Sequence, residues 1–365
     1  MSLAQFAARI DGRLRSRLSL VLTPSLFTLL YSAVRHPMLL ALARDRTSVD
    51  APRYPVEFAG LRFRNDLGNA AGFDKDGTLL GFNYRIGAGF AIVGTVLIEQ
   101  HTGNRFSSRV SYNPWTPLPY SQGAINSLGL PNVGVDVVMK NILNFRNEHN
   151  PVDFPIGVSI MGHPAQHGEK KLEGTIECLR RVLPVADFVE INESCPNVHG
   201  HEVDDVDSRL ATLVVVRDEH HLKTGRRVPL FVKLAGFGDA AHTVRVMTAL
   251  GIDGLVGVNT QKNYADLVVH PKDRALFDYY TRTHGGGVSG QPIAHYALAQ
   301  IELAAREIVA QKSHLKLIHV GGIRSRADMS KSRTIGDSVV LREWYTGMME
   351  EMARGEFNTV YQNII

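Results

Sequence analysis

Two cysteines in 365 residues, Cys178 and Cys195, are too few for a disulfide framework, and a reducing compartment is the default. No uninterrupted apolar run reaches the about 18–20 residues needed to span a bilayer. No small-residue cleavage site follows a compact apolar stretch, so a secretory signal is not expected. No RNP motif, zinc-finger spacing or long Lys/Arg run marks a nucleic-acid binder, and a net charge of +4 is only mildly basic. No nucleic-acid partner is expected. No HExxH or paired-cysteine spacing backs a metal site; His199, His201 and Glu202 read as a solvated loop, and no metal is expected. No GxGxxG opens the first strand–helix unit, which counts against a dinucleotide fold.

What is present describes a soluble globular chain with a large core, 44% hydrophobic and 21% charged. Residues 1–47 stand apart. Arg9, Arg13, Arg15 and Arg17 face only Asp11 as acid, and an apolar stretch follows. Pro24 and Pro37 are expected to start helices, with Thr23 as the N-cap before Pro24. Two short amphipathic helices result, suited either to a membrane surface or to capping the main domain. An Arg-rich, acid-poor beginning also permits an organelle transit peptide. The expected division is therefore a helical segment 1–47 and a main domain 48–365. A linker, Thr47–Pro55, and a small hairpin, Phe58–Phe63 with Gly60 at its turn, lead into that domain.

From there strand-like and helix-like segments alternate. Strands are expected near Gly68–Ala71, Ala91–Gly94, Ile156–Ile160, Phe188–Asn192, Leu230–Leu234, Gly254–Val258, Leu317–Val320 and Ser338–Leu341. Helices are expected near Gly77–Ile86, Val135–Arg146, Glu169–Val182, Ser208–Lys223, Ala240–Leu250, Ala294–Ala310 and Ser325–Ile335. Eight strands separated by helices favour a closed parallel (β/α)8 TIM barrel, here with an N-terminal helical extension. Two long loops, His101–Val133 and Gln261–Gln291, follow the second and sixth strands and are placed to shape or cover a site.

The strand ends carry the chemistry. INESCPNVHG, residues 191–200, begins on an apolar run that Pro196 prevents from continuing as a central strand. Asn192, Ser194, Cys195 and Asn197 then offer amides that suit a flat ligand with lactam edges, and a thiol able to take a proton. A buried Cys beside a turn-capping Asn is the plainer reading of the same stretch. Small residues in Ala70-Ala71-Gly72 let backbone approach a flat ring, and Lys75 places a charge beside it. Lys233 inside FVKLA implies a buried lysine, which needs an anionic partner or loses its charge. Gly321-Gly322 and Tyr345-Thr346, after the last two strands, match the phosphate site of this barrel. Together these features describe flavin mononucleotide (FMN), with a heterocyclic substrate on Asn126, Asn192, Asn197 and Asn259.

AAGFDK, INSLGLPN, NESCPN, FVKLA, VNTQ, GGGVSGQP and HVGGI, in that order over roughly Val56–Met349, resemble the dihydroorotate dehydrogenases. The resemblance implies an FMN-dependent barrel that oxidises dihydroorotate to orotate in pyrimidine biosynthesis. It implies that Lys75, Asn126, Asn192, Asn197, Asn259 and Thr260 hold substrate and that Cys195 takes the proton from C5. It implies that Ala71, Gly72, Thr95, Lys233, Gly290, Gly321, Gly322, Tyr345 and Thr346 hold FMN. The helical extension and AAGFDK resemble the membrane-bound, quinone-reducing branch. Cys195 and INSLGLPN resemble the soluble, fumarate-reducing branch. A quinone acceptor is expected, reached between the N-terminal helices with Arg109 near the inner end, at a peripheral membrane location on the cytoplasmic face or the mitochondrial inner membrane. A soluble acceptor (fumarate or NAD) in the cytoplasm, or a flavin-binding barrel without turnover, are the alternatives.

Overall fold

The structure, a computed structural model, describes residues 1–149, 151–193 and 206–365. Cys195, Asn197, His199, His201 and Glu202 lie outside the described residues.

Eight parallel strands form the frame: Leu67–Asn69, Ala91–Val96, Ile156–Ile160, Phe188–Asn192, Leu230–Leu234, Gly254–Gly257, Lys316–Val320 and Val339–Trp344. From the second to the eighth, each pairs with its neighbour in sequence, and the eighth pairs with the first. The first and second strands close the ring through single bonds. Gly72 N–H donates to Gly94 O at 2.7 Å, and Asn69 Nδ2 donates to Ile92 O at 2.8 Å. The expected (β/α)8 barrel is what the chain forms, nearly closed.

Strand alternation decides what the barrel encloses. Phe188, Phe231, Ile92, Ile318 and Leu341 point inward and pack with Phe63 and Phe90 into a buried cluster. Phe188 and Phe231 meet edge to face at 5.2 Å. The expected hairpin, Val56–Phe58 with Leu61–Phe63, adds to this aromatic plug; Phe58 lies 5.4 Å from Phe231. Its turn uses Ala59 and Gly60 at φ 52° and 78°, the left-handed pair of a two-residue hairpin. The second, larger apolar layer lies outside the strands, under the surrounding helices.

The N-terminal segment departs from expectation. Helix α1 spans Leu3–Val21 and helix α2 spans Pro24–Arg44. Thr23 caps α2 as expected, its hydroxyl accepting from Leu26 N–H at 3.3 Å. Pro37 does not start a helix; it sits inside α2. An interior proline costs about 3 kcal/mol. Here the helix carries on because Phe27, Tyr31, Ser32, Arg35 and Leu42 are buried along one side of it. Without the break, α2 is long and apolar enough by composition to cross a membrane, with a mean hydropathy of 1.4. The buried side instead lies on the protein. Phe27 and Tyr31 pack with Leu118, Ile125 and Phe277, and Trp115 N–H donates to Ser32 Oγ at 3.1 Å.

The two long loops meet. Trp115–Leu118, Gly123–Asn126 and Gly287–Gly290 make a three-stranded antiparallel sheet, and Arg274–Thr283 within the second loop is a helix. Neither was expected: pairing between segments about 160 residues apart leaves no local signature, whereas the helix has its own, with Leu276, Phe277 and Tyr280 buried at one-face spacing. Elsewhere the differences are small. The expected helix Gly77–Ile86 contracts to Leu80–Arg85, since Asp74 Oδ1 accepts from Gly77 N–H at 2.8 Å and turns the chain first.

Candidate active site

The ends of the barrel strands, the small sheet and the two N-terminal helices enclose one continuous cavity of about 340 Å³. Its lining includes Lys75, Asn126, Asn192, Asn259 and Thr260, and also Ala71, Gly72, Thr95, Lys233, Gly290, Gly321, Gly322, Tyr345 and Thr346. Every residue singled out from sequence as holding substrate or cofactor therefore faces one space, apart from Asn197, which is not described. Arg109 does not: it is exposed on the loop and absent from the lining. Arg35 of α2 is buried and does line the cavity. Arg35 Nη2 donates to Tyr345 Oη at 3.2 Å and to Gly72 O at 3.4 Å, and its Nε has no hydrogen-bond partner.

Lys233 has the anionic partners its burial demanded. Its Nζ lies 3.3 Å from Glu190 Oε2 and 3.4 Å from Glu343 Oε2. Burial works against the ammonium, but the two carboxylates outweigh it and hold the Lys233 pKa above the ordinary lysine value. Burial pushes Glu343 up to about 8; Lys233 opposes that and Glu190 adds to it. The cluster thus keeps a cation next to a carboxyl whose ionisation burial disfavours. Neither glutamate was singled out from sequence.

A sign follows for stability. Glu343 holds a proton in the folded chain that the unfolded chain releases near 4.5. Its contribution is complete below pH 4.5 and is lost as pH rises through about 8. Glu343→Gln has no proton to lose. Its unfolding free energy should fall less steeply between about pH 5 and 8, by up to about 1.4 kcal/mol per pH unit, one proton's worth. Denaturant melts at several pH values measure this, and parallel slopes for the two proteins would refute it.

Hydrogen bonds fix the amide side chains in place. Asn192 Nδ2 donates to Thr95 Oγ1 at 2.9 Å, Thr95 Oγ1 lies 3.1 Å from the buried Ser159 Oγ, and Asn259 Nδ2 donates to Asn192 Oδ1 at 3.3 Å. Asn126 ends its strand in the small sheet, paired with Gly287. Asp74, fully buried and pushed up to about 7 by burial first, folds the turn that presents Lys75.

A flat ring with a phosphate tail fits this space. A Cβ at Gly72 would meet only the Tyr345 ring, at 3.9 Å, so glycine leaves the floor open. Gly290, at φ 84°, has no room for a side chain; a Cβ there would come within 2.9 Å of Thr346 Cγ2. Ser289 Oγ and Thr346 Oγ1 lie 2.8 Å apart, two hydroxyls at one end of the cavity beside the start of the helix Thr346–Met352. Gly322 stands against Ala294 at the start of the helix Ala294–Ala310, where a Cβ would come within 2.3 Å of Ala294 Cβ. Ser289 was missed from sequence, because only the pairing of the two loops brings it to Thr346.

The family model for dihydroorotate dehydrogenase matches residues 54–356. The dihydroorotate dehydrogenase (quinone) of Xylella fastidiosa strain M12 is 30% identical over 306 residues, covering 81% of this chain and 79% of that protein. The enzyme of the same name from Akkermansia muciniphila is 29% identical over 307 residues, covering 82% and 81%. Among solved structures, ligand-free DHODH of Eimeria tenella aligns with a TM-score of 0.74 at 24% identity, covering 91% of this chain and 92% of that one. The match spans the barrel and its strand-end residues together, and the chain belongs to the dihydroorotate dehydrogenase family of oxidoreductases.

Proposed function

We propose that this protein oxidises dihydroorotate to orotate with FMN and passes the electrons to a membrane quinone. The observation that carries this reading is the shape of the cavity. At one end it is lined by amides and Lys75, and it continues between α1 and α2 along Ala4, Ala8, Val34, Met38 and Leu42. A polar, cationic end suits an anionic pyrimidine, and an apolar corridor suits an isoprenoid tail.

FMN, when bound there, would supply the acceptor for the C6 hydride and the donor of electrons to the quinone. The chain does the rest. Lys75, Asn126, Asn192, Asn259 and Thr260, with Asn197, hold the substrate's carboxylate and lactam edges. Cys195 takes the C5 proton. Ala71, Gly72 and Thr95 bound the ring, Lys233 supplies the charge beside it, and Gly290, Gly321, Gly322, Tyr345 and Thr346 hold the phosphate end. Arg35, with a free Nε beside Tyr345, offers a donor to an acceptor carbonyl at the inner end of the corridor.

The membrane location rests on the outer faces of the same helices. Leu3, Phe6, Ile10 and Leu14 on α1, and Leu26 and Leu30 on α2, recur at three- and four-residue spacing and are exposed. Arg13 and Arg17 are exposed on α1 and add attraction to anionic head groups. A peripheral protein that draws its acceptor from the bilayer follows from this arrangement.

Anaerobic addition of dihydroorotate to the purified protein should bleach a bound yellow chromophore, and decylubiquinone should restore it. Denaturation should release FMN. Release of FAD, absence of any chromophore from folded protein, or bleaching only by a nicotinamide would overturn the reading.

A further inference from the structure

The corridor between α1 and α2 is mostly apolar, but beyond Arg35 it carries a second polar place. There Asp11 and Arg15 of α1, Tyr31 of α2 and Glu350 of the helix Thr346–Met352 all face it. Tyr31 Oη donates to Asp11 Oδ1 at 2.6 Å, Arg15 Nη1 lies 3.8 Å from Asp11 Oδ2, and Arg15 Nη2 is bonded to Glu350 Oε2. The cluster bridges two environments. Asp11 is about a third exposed and Glu350 about a quarter, while both reach the cavity wall. We propose that Glu350, held by Arg15 and refilled through Asp11, supplies the proton that the acceptor takes up from solution as it is reduced.

The proposal rests on the function above, and the proton balance of that reaction motivates it. Reducing a quinone to its quinol takes two electrons and two protons, and each carbonyl oxygen gains an O–H bond. One proton travels with the electron pair as the C6 hydrogen. The other substrate proton, from C5, goes to the proposed base Cys195 and not to the acceptor. An equivalent proton must therefore enter at the acceptor end. The Glu350 carboxyl O–H breaks as the acceptor O–H forms, and Asp11, nearer solvent, restores it. Glu350 is suited to this because it binds its proton more tightly than an ordinary glutamate. Burial is the main cause, Arg15 opposes it, Asp11 adds to it and Arg354 opposes it. Tyr31 stays a phenol, its pKa raised by burial first and by Asp11, and fixes Asp11 in place. Arg35 also lines the corridor, and no acid but Asp11 and Glu350 faces this stretch of it among the described residues.

A plain structural role predicts something different. If Arg15 and Glu350 only clamp α1 to the last helix, removing either partner has the same effect. The test compares Glu350→Gln and Arg15→Gln with two acceptors, decylubiquinone and ferricyanide, which takes electrons without protons. Glu350→Gln should slow quinone turnover roughly 10²-fold or more, the loss typical of an acid–base group, and leave ferricyanide turnover and anaerobic bleaching as in the parent. Arg15→Gln keeps the carboxyl. It should lose far less quinone turnover than Glu350→Gln does, with the alkaline limb of its pH profile moved upward. Equal losses in the two variants, or a Glu350→Gln loss shared by ferricyanide, would reduce the cluster to a clamp and overturn the proposal. Circular dichroism and bound chromophore show whether each variant folds, and should Glu350→Gln not fold, Asp11→Asn read with the same two acceptors decides between the roles.

Discussion

Cys195→Ala should keep its flavin and reduce it roughly 10²–10⁴-fold more slowly with dihydroorotate, the loss typical of removing a general base. The thiol is proposed as the group that takes the C5 proton, and alanine offers nothing in its place. Cys195→Ser should retain part of the rate with its pH dependence moved upward, because a hydroxyl is a weaker acid than a thiol. The second cysteine does not confuse the measurement. Cys178 is fully buried, its Sγ lies 3.8 Å from Val96 O, and burial pushes its thiol up to about 12. A thiol titrating near neutrality, or reacting with iodoacetamide in the native protein, therefore reports Cys195. Stopped-flow bleaching under anaerobic conditions measures the step directly. An alanine variant that bleaches at the parent rate would end the assignment. Normal turnover with a lowered melting temperature would make Cys195 a packing residue.

The barrel was legible because its signal is local. Each strand is a short apolar run, and each run is followed by a helix-like stretch of the right length. Seven short motifs then fixed which end of the barrel carries the chemistry. What stayed hidden came from two sources. The first is alternation that was present but not followed through. In Phe188-Val189-Glu190-Ile191-Asn192 the inward positions are 188, 190 and 192. Once Asn192 was placed in the site and Phe188 in the core, Glu190 had to lie between them, inside the barrel. Leu341, Glu343 and Tyr345 obey the same rule. The anion that the lone lysine in FVKLA needs comes from these two inward positions.

The second source is contact between segments far apart in the chain. Nothing near residue 35 marks Arg35 as a ligand-facing side chain, and nothing near residue 109 shows that Arg109 lies outside. The small sheet decides the first. It seats α2 through Ser32, Trp115 and Phe27, and that brings Arg35 to Gly72 and Tyr345. Likewise, four arginines near the N-terminus read as one basic edge, yet Arg15 turns inward to Glu350 while Arg13 and Arg17 stay exposed. Helical phase separates them only when the docked face is known. Pro37 misled for a related reason: burial of the flanking turns of α2 outweighs the hydrogen bond that proline removes.

Blocking the corridor should separate the two half-reactions. Deleting residues 1–47 is the obvious variant, but it also strips Phe27, Tyr31 and Leu42 from buried clusters and uncovers the small sheet. A loss of activity in that protein would mix instability with a missing acceptor site. Ala8→Trp is sharper. Ala4 and Ala8 sit one turn apart on α1 opposite Val34 and Met38 of α2, and small side chains there keep the space between the helices open. An indole fills that space without touching the strand ends. Turnover with a long-tailed quinone should fall by roughly 10²-fold, whereas anaerobic bleaching by dihydroorotate and turnover with ferricyanide stay at the parent rate; about 2.7 kcal/mol of lost acceptor binding is enough for that factor. A companion variant, Phe6→Asp with Leu14→Asp, charges the outer face only. It should release the protein from anionic vesicles while sparing turnover with quinone in detergent. Full quinone turnover in Ala8→Trp would mean that the helices merely cover the barrel. The acceptor would then reach the flavin from the soluble side, as the Cys195 and INSLGLPN segments resemble, and fumarate should support turnover in its place.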